Sequence, residues 1–431
     1  MKSTFAAAGD CFITRRIHSD SRGFKELQAL IRAQNVRFAN LEMTFHNQEG
    51  YPAAASGGTW AMTSPDRLDD MLGYGFNLFA TANNHSGDYG QGGVAATLKH
   101  LTERGMCFAG TGLSLQQAAR AAYLDGPEGR TALIAVTATF DPAAVAGSQG
   151  GLVSGRPGLN PLRHETIHHV NAHHFEMVKE LADTTLANAK ALLSIRNGYR
   201  NPFATDTMPL GNLNFKLTER EEFNETRPNK KDLERTVSEI VEARRQADWV
   251  LVSLHAHEMR AQDSREPAQF VETFARACID AGADAVIGHG PHELRGIEIY
   301  KGRPIFYSLG NFIFQTETIA EQPADAFTAK GMSVDTKIGE YMAQRSANGT
   351  RGYGVQENIW RSVLPVWEMQ DGRLVSLRLY PISLGMHEPR SRKGTPELTR
   401  DEAVLEYISE LSRPYGTNIT IAETIGEVIL S

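Results

Sequence analysis

The chain has 431 residues, of which 41% are hydrophobic and 22% charged, the composition of an ordinary globular protein with room for a large core. Its 44 Lys and Arg against 51 Asp and Glu give a formal net charge of −7, which argues against nucleic acid as the main partner but leaves an anionic substrate open, because a bound cation can set the local charge. Cys11, Cys107 and Cys278 are scattered and odd in number, and no signal-type or membrane-length apolar run occurs, so a cytoplasmic protein in a reducing compartment, without disulfides or membrane anchor, is expected.

In chain order, "STFAAAGD" reads as a strand ending at Asp10 and "FKELQALIRAQN" as a helix with Leu27, Leu30 and Ile31 on one face. "VRFANLE" is a strand ending at Glu42. "SPDRLDDMLGYG" predicts a helix with Ser64 as N-cap, Pro65 in the first turn and Gly73 at the stop. "FNLFATANNH" is the next strand, "GVAATLKHLTERG" a helix closed by Gly105, and "TALIAVTAT" another strand. The stretch 140–230 is rich in Gly, Pro, Asn and His and reads as an insertion with one helical piece, packed on the core as a candidate substrate cap. Alternation resumes with the helix "DLERTVSEIVEARRQA", the strand "DWVLVSLHAHE" and the helix "EPAQFVETFARACIDAG", with Pro267 in its first turn and Gly282 at its stop. "ADAVIGHGPHE" and "RPIFYSLGNFIF" are further strands, 316–356 is a second irregular insertion, and "VLPVWEMQDGRLVSLRLYPI" is a hairpin turning at Asp371-Gly372. The expected organisation is an α/β core in two halves, 1–139 and 231–315, with insertions at 140–230 and 316–356 and a C-terminal hairpin and tail at 357–431.

Five strand ends carry ligand-type side chains: Asp10; Asn40 and Glu42; Asn83, Asn84 and His85; His255, His257 and Glu258; His289, His292 and Glu293. Any one of these is read equally well as turn chemistry. Five together, mixing carboxylate, amide and imidazole, predict a divalent-metal site at the strand ends of an open α/β sheet, with Zn²⁺, Mn²⁺, Fe or Ca²⁺ as the ion.

The series GD, NLE, ANNH-x-DYG, HxHE, GHGPHELRGIEIY and YSLGNFIF resembles CapA-like proteins of capsule and poly-γ-glutamate biosynthesis, within the calcineurin-like metallophosphatase superfamily. The resemblance spans about residues 5–315. It implies a four-layer α-β-β-α sandwich of two mixed sheets. By motif it implies Asp10, Glu42, Asn84, His255, His289 and His292 as metal ligands, Glu42 bridging, with His85 as the acid that protonates a leaving group. Phe12 stands where the DxH histidine of the superfamily would be. One metal would then keep Glu42, Asn84, His255 and His289, while the other keeps only Asp10, Glu42 and His292.

His257 reads as either a ligand or a group that orients one, and Asn83 and Arg163 as substrate contacts, Arg163 through a carboxylate or phosphate. In "HETIHHVNAHH", His169 and His173 are four apart and would share a helix face, although solvated or packing roles suit the cluster better. Cys11 is expected in the core. The reaction expected first is hydrolysis of a peptide, γ-glutamyl or related carboxylate-rich substrate by a metal-activated water. Epimerisation at an α-carbon is the second reading, with Asp10 and His292 as acid and base. Phosphoesterase activity is the third, and a non-catalytic binding protein with a decayed site the fourth.

Overall fold

Strand β1 (Lys2–Phe12) is buried from Phe5 to its end. That two-sided burial is why its sequence is a continuous run of small apolar residues and not an alternation. The structure, a computed structural model, describes residues 1–430. In chain order the core strands are β1, β2 (Val36–Leu41), β3 (Leu78–Ala80), β4 (Gly129–Thr137), β5 (Trp249–His255), β6 (Ala285–His289), β7 (Arg303–Leu309), β8 (Asn311–Phe314), β9 (Arg361–Gln370) and β10 (Arg373–Ser383).

They form two mixed sheets. In the larger, of ten strands, β10, β9, β1, β2 and β3 are consecutive neighbours and β8 branches from β1. β1, β2 and β3 run parallel, while β9 is antiparallel to β1. In the six-stranded sheet β7, β6, β5 and β4 are parallel neighbours, closed at both edges by antiparallel strands. The predicted hairpin is β9–β10, and its turn residues Asp371 and Gly372 both have positive φ, 49° and 75°, as a tight hairpin turn requires.

One apolar cluster is shared by both sheets, with Phe5, Phe38, Leu133, Leu251, Ile287, Phe306 and Trp367 among its members. A second packs Cys11, Phe12 and Phe312 against helices α1 (Arg22–Arg32) and α2 (Arg67–Tyr74). A third packs Ile134 and Val252 against α3 (Lys230–Gln246) and α4 (Gln269–Ala281). Cys11 is fully buried, as expected.

Several local expectations are corrected. Helix α2 stops at Gly75, whose φ of 102° is the left-handed geometry glycine favours, so Gly73 lies inside the helix. Its N-cap is Asp66, while Ser64 contributes its carbonyl to the Arg67 N–H at 3.0 Å. Pro267 ends the Asp263–Pro267 strand and does not enter α4, which Gly282 terminates as predicted. The stretch 140–230 is not irregular: it holds a four-stranded sheet with His164–Val170 inside it, followed by helices Ala172–Thr185 and Ala189–Arg196. His169 is therefore on a strand and His173 on a helix. His169 stacks on Phe223 at 4.2 Å and meets Glu225 at 2.8 Å. No helix among the described residues is long and apolar enough to cross a membrane.

The sheets meet where β1 passes the β7–β8 junction. The Asp10 N–H donates to the Gly310 carbonyl at 2.9 Å, and a Cβ at Gly9 would lie 1.9 Å from that same oxygen. Backbone fills the space that a side chain needs. Gly9→Ala is therefore expected to destabilise the fold by about 3 kcal/mol or more, measured by denaturant unfolding; an unchanged midpoint would contradict this close approach.

Candidate metal centre

Parallel pairing sets the site. β5 and β6 are in register with His255 opposite His289, and β1 and β2 place Asp10 opposite Asn40, with Glu42 just past the end of β2. These strand ends bring Asp10, Glu42, His255 and His289 to full burial. Three donor groups result, each with its ligand atoms within 4.8 Å of one another: Asp10, His255 and His289; Glu42, His255 and His257; Asp10, Glu42 and His292. Thus His289 gathers with Asp10 and His255, and His257 joins Glu42.

The separations suit shared ligation. Asp10 Oδ1 lies 3.3 Å from His289 Nδ1 and 3.6 Å from His255 Nδ1. His255 Nε2 lies 3.8 Å from Glu42 Oε1. Neighbouring donors on one ion, bound at about 2.0–2.2 Å, are spaced like this. His255 and His289 bring their Nδ1 atoms to 3.0 Å, and His255 and His257 their Nε2 atoms to 3.1 Å. Burial pushes the His255 imidazole down to about 4, and holds those of His257 and His292 below the usual histidine value. Near neutral pH these rings are uncharged and offer lone pairs.

The carboxylates differ. Burial would raise the Asp10 carboxyl, but its contacts with His255 and His289 hold it well below the usual range; it also accepts from Asn40 Nδ2 at 2.7 Å and the Gly290 N–H at 2.9 Å. Glu42 has no such help. Among the described residues both its oxygens are buried without a hydrogen-bond partner, as is Oδ1 of Asn84. Burial, then the charges of Asp10 and Asp88, push the Glu42 carboxyl well above its ordinary value. Orphaned acceptors beside neutral imidazoles fit a divalent cation of the Zn²⁺, Mn²⁺ or Fe type, which takes mixed N and O ligands.

Surrounding groups fix the donors. Ser253 Oγ meets His289 Nε2 at 2.7 Å. Asn311 grips His292 twice, by Oδ1 to Nδ1 at 2.9 Å and by Nδ2 to its carbonyl at 3.0 Å. That grip holds His292 at a φ of 63°, strained for a non-glycine residue. His85 Nδ1 meets Asp88 Oδ2 at 2.7 Å, and Asp88 accepts from the N–H groups of Gly57 and Ala61. Asn83 is internal: its amide donates to the Leu41 carbonyl at 2.8 Å, and its oxygen accepts from the His85 N–H at 3.1 Å.

Above the donors is a cavity of about 20 Å³, walled by Phe12, His85, His292, Phe314, Arg345 and Tyr353, with the 57–59 loop and Thr316. None of its lining comes from 140–230. Arg163 is not part of it: its guanidinium makes two contacts of 2.8 Å to the buried carboxylate of Asp232. Ser253, Asn311, Arg345 and Tyr353 are additions that the sequence reading did not assign. For Asn311 a signal existed in the "SLGNF" stretch; for Arg345, at the end of the helix Ile338–Arg345, and Tyr353, in a segment whose sequence reads as irregular, none did.

Fold and site thus define a mixed α/β protein with a buried carboxylate–imidazole centre at its strand ends. Residues 4–316 match the family model described as "Bacterial capsule synthesis protein PGA_cap", and the chain belongs to that family. It is 34% identical to the Sinorhizobium fredii protein y4sH over 99% of this chain and 93% of the relative. It is 24% identical to the Bacillus subtilis "PGA biosynthesis protein CapA" over 68% of this chain and 56% of the relative, and 25% identical to the Bacillus anthracis "Capsule biosynthesis protein CapA" over 56% and 40%.

Glu42→Gln separates the site's two demands. Removing the unpartnered charge is expected to raise the melting temperature of metal-free protein at about pH 8. The same substitution is expected to abolish the further rise that Zn²⁺ or Mn²⁺ gives the wild type. Equal stabilisation of both proteins by metal would remove Glu42 from the site.

Proposed function

We propose that this chain is a divalent-metal-dependent hydrolase acting on a peptide, γ-glutamyl or related carboxylate-rich substrate, on a four-layer α-β-β-α core of the metallophosphatase type. The observation behind it is the pair of orphaned Glu42 oxygens beside the imidazoles of His255, His257 and His292, with Asn84 Oδ1 a further unpartnered acceptor. The fold reading is supported by the apolar cluster common to both sheets and the two helix-facing clusters. The substrate class is supported by the relatives named for PGA and capsule biosynthesis. Three free cysteines fit a cytoplasmic setting.

Glu42, Asn84, His255 and His257 would hold one ion, and Asp10, His289 and His292 extend the donor set. When bound, the ion supplies Lewis-acid activation of water and of the scissile group. The chain's own part is proton transfer and water exclusion. Asp88 fixes the His85 ring through Nδ1 and leaves Nε2 as the atom that delivers a proton to the leaving group. Phe12, 5.6 Å from His85 and 6.4 Å from Phe314 between ring centres, keeps that side of the cavity apolar.

Epimerisation at an α-carbon is the second reading, favoured by one observation: His292 walls the cavity with Nδ1 3.8 Å from Asp10 Oδ2. Asp10 itself is fully buried and does not reach the cavity wall, so any proton it exchanges would pass through His292.

Incubation of Zn²⁺- or Mn²⁺-loaded protein in D₂O with peptides, γ-glutamyl oligomers and p-nitrophenyl phosphate, read by mass spectrometry, tests both. Cleavage of a peptide or γ-glutamyl oligomer is expected, falling about 10²–10⁴-fold in His85→Ala and lost in His255→Ala. A one-unit mass gain without cleavage, lost in His292→Ala, would replace hydrolysis by epimerisation. Cleavage of the phosphate ester alone would make the protein a phosphoesterase.

A further inference from the structure

Arg345 is the one permanently cationic side chain on the cavity wall, which it shares with His85 and His292. It ends the helix Ile338–Arg345. Among the described residues no carboxylate pairs with its guanidinium, whose contact is Nη2 to the Gly58 carbonyl at 3.4 Å, the outer limit of a hydrogen bond. Its backbone is braced: the Arg345 carbonyl accepts from Arg351 Nε and the Gln344 carbonyl from Arg351 Nη2, both at 2.9 Å. A held arginine without an anion, aimed at a site, is a group that lacks its ligand.

The rest of the wall is aromatic. Tyr353 lies edge-on to Phe314 at 5.0 Å and to His292 at 5.8 Å. Burial and the charge of Glu42 push the Tyr353 hydroxyl up while Arg345 draws it down. A cavity of about 20 Å³ holds about one water and no amino-acid residue. Arg345 and Tyr353 both belong to 316–356, which has its own small cluster of Ala326, Phe327 and Tyr341 against Trp60. The segment is also tied to a main core by buried Ile319 and by Tyr353 packed against it, so its opening would release those contacts while the small cluster moves as a unit.

We propose that Arg345 binds a carboxylate of the substrate, that the aromatic wall receives the apolar side chain beside it, and that 316–356 opens to admit this residue and closes over it. The ligand class is an apolar amino-acid residue with a free carboxylate. The inference rests on the reading of this cavity as the substrate site, and it needs no turnover.

Titration calorimetry of the whole protein with N-acetylphenylalanine, N-acetylphenylalanine amide and phenyl phosphate tests it. The acid is expected to bind about tenfold or more tighter than the amide. Arg345→Ala is expected to bring that ratio close to one without changing the melting temperature, and Arg345→Lys to restore part of it. Equal binding of acid and amide, a ratio that survives in Arg345→Ala, tighter binding of phenyl phosphate, or no saturable binding of the acid would each overturn the proposal. Carboxylate-selective binding by a protein that cleaves none of the substrates above would instead sink hydrolysis and leave Arg345 in its role.

Discussion

Two carboxylates, Asp10 and Glu42, are buried completely where the two sheets converge, and the geometry around them answers that one electrostatic problem. An ion removed from water costs several kcal/mol even after relaxation, a large share of a stability that totals about 5–15 kcal/mol. Asp10 is compensated by two N–H donors and two nearby imidazoles. Among the described residues Glu42 has no hydrogen-bond partner at all. The asymmetry gives a cation a thermodynamic place, since an ion bound only by the folded form adds its binding energy to stability.

The strand ends were legible because their information is local. A strand sequence fixes where the strand stops, and in parallel sheets the stops fall at one edge. His255 and His289 therefore sit opposite each other without any long-range coincidence. The alternation of strands and helices, the hairpin turn at Asp371-Gly372 and the stops at Gly282 and Gly105 were readable for the same reason. The stop of α2 was not, because Gly73 and Gly75 carry equal local signals and only the backbone at Gly75 adopts the left-handed geometry.

What the sequence hid is what depends on contacts between distant segments. His257 follows His255 by two residues, which says that they share a strand face but not that their rings touch. The support from Ser253 and Asn311 is a property of the assembled site. Arg163 looked available because its partner, Asp232, is 69 residues away. Arg345 looked unremarkable because nothing near it in the chain announces the cavity; the cavity exists only once 316–356 lies against Gly58 and Phe314. The composition of 140–230 suggested irregular structure, yet His164, His168 and His169 sit in a paired strand, His169 against Phe223 and Glu225.

Phe12 shows how a single side chain redistributes such a site. A histidine there would offer a ring nitrogen near Asp10. The phenyl ring packs into the cluster around α1 and α2 and closes one side of the cavity against His85. Asp10 consequently draws its compensation from Asn40, the Gly290 N–H and the two imidazoles across the seam. Among the described residues Glu42 keeps both oxygens without a hydrogen-bond partner, and Asn84 Oδ1 is likewise unpartnered. On its other side His85 is fixed by Asp88. An apolar wall at Phe12 thus leaves the buried centre one-sided, with unpartnered carboxylate oxygens at Glu42 and a dry face beside His85.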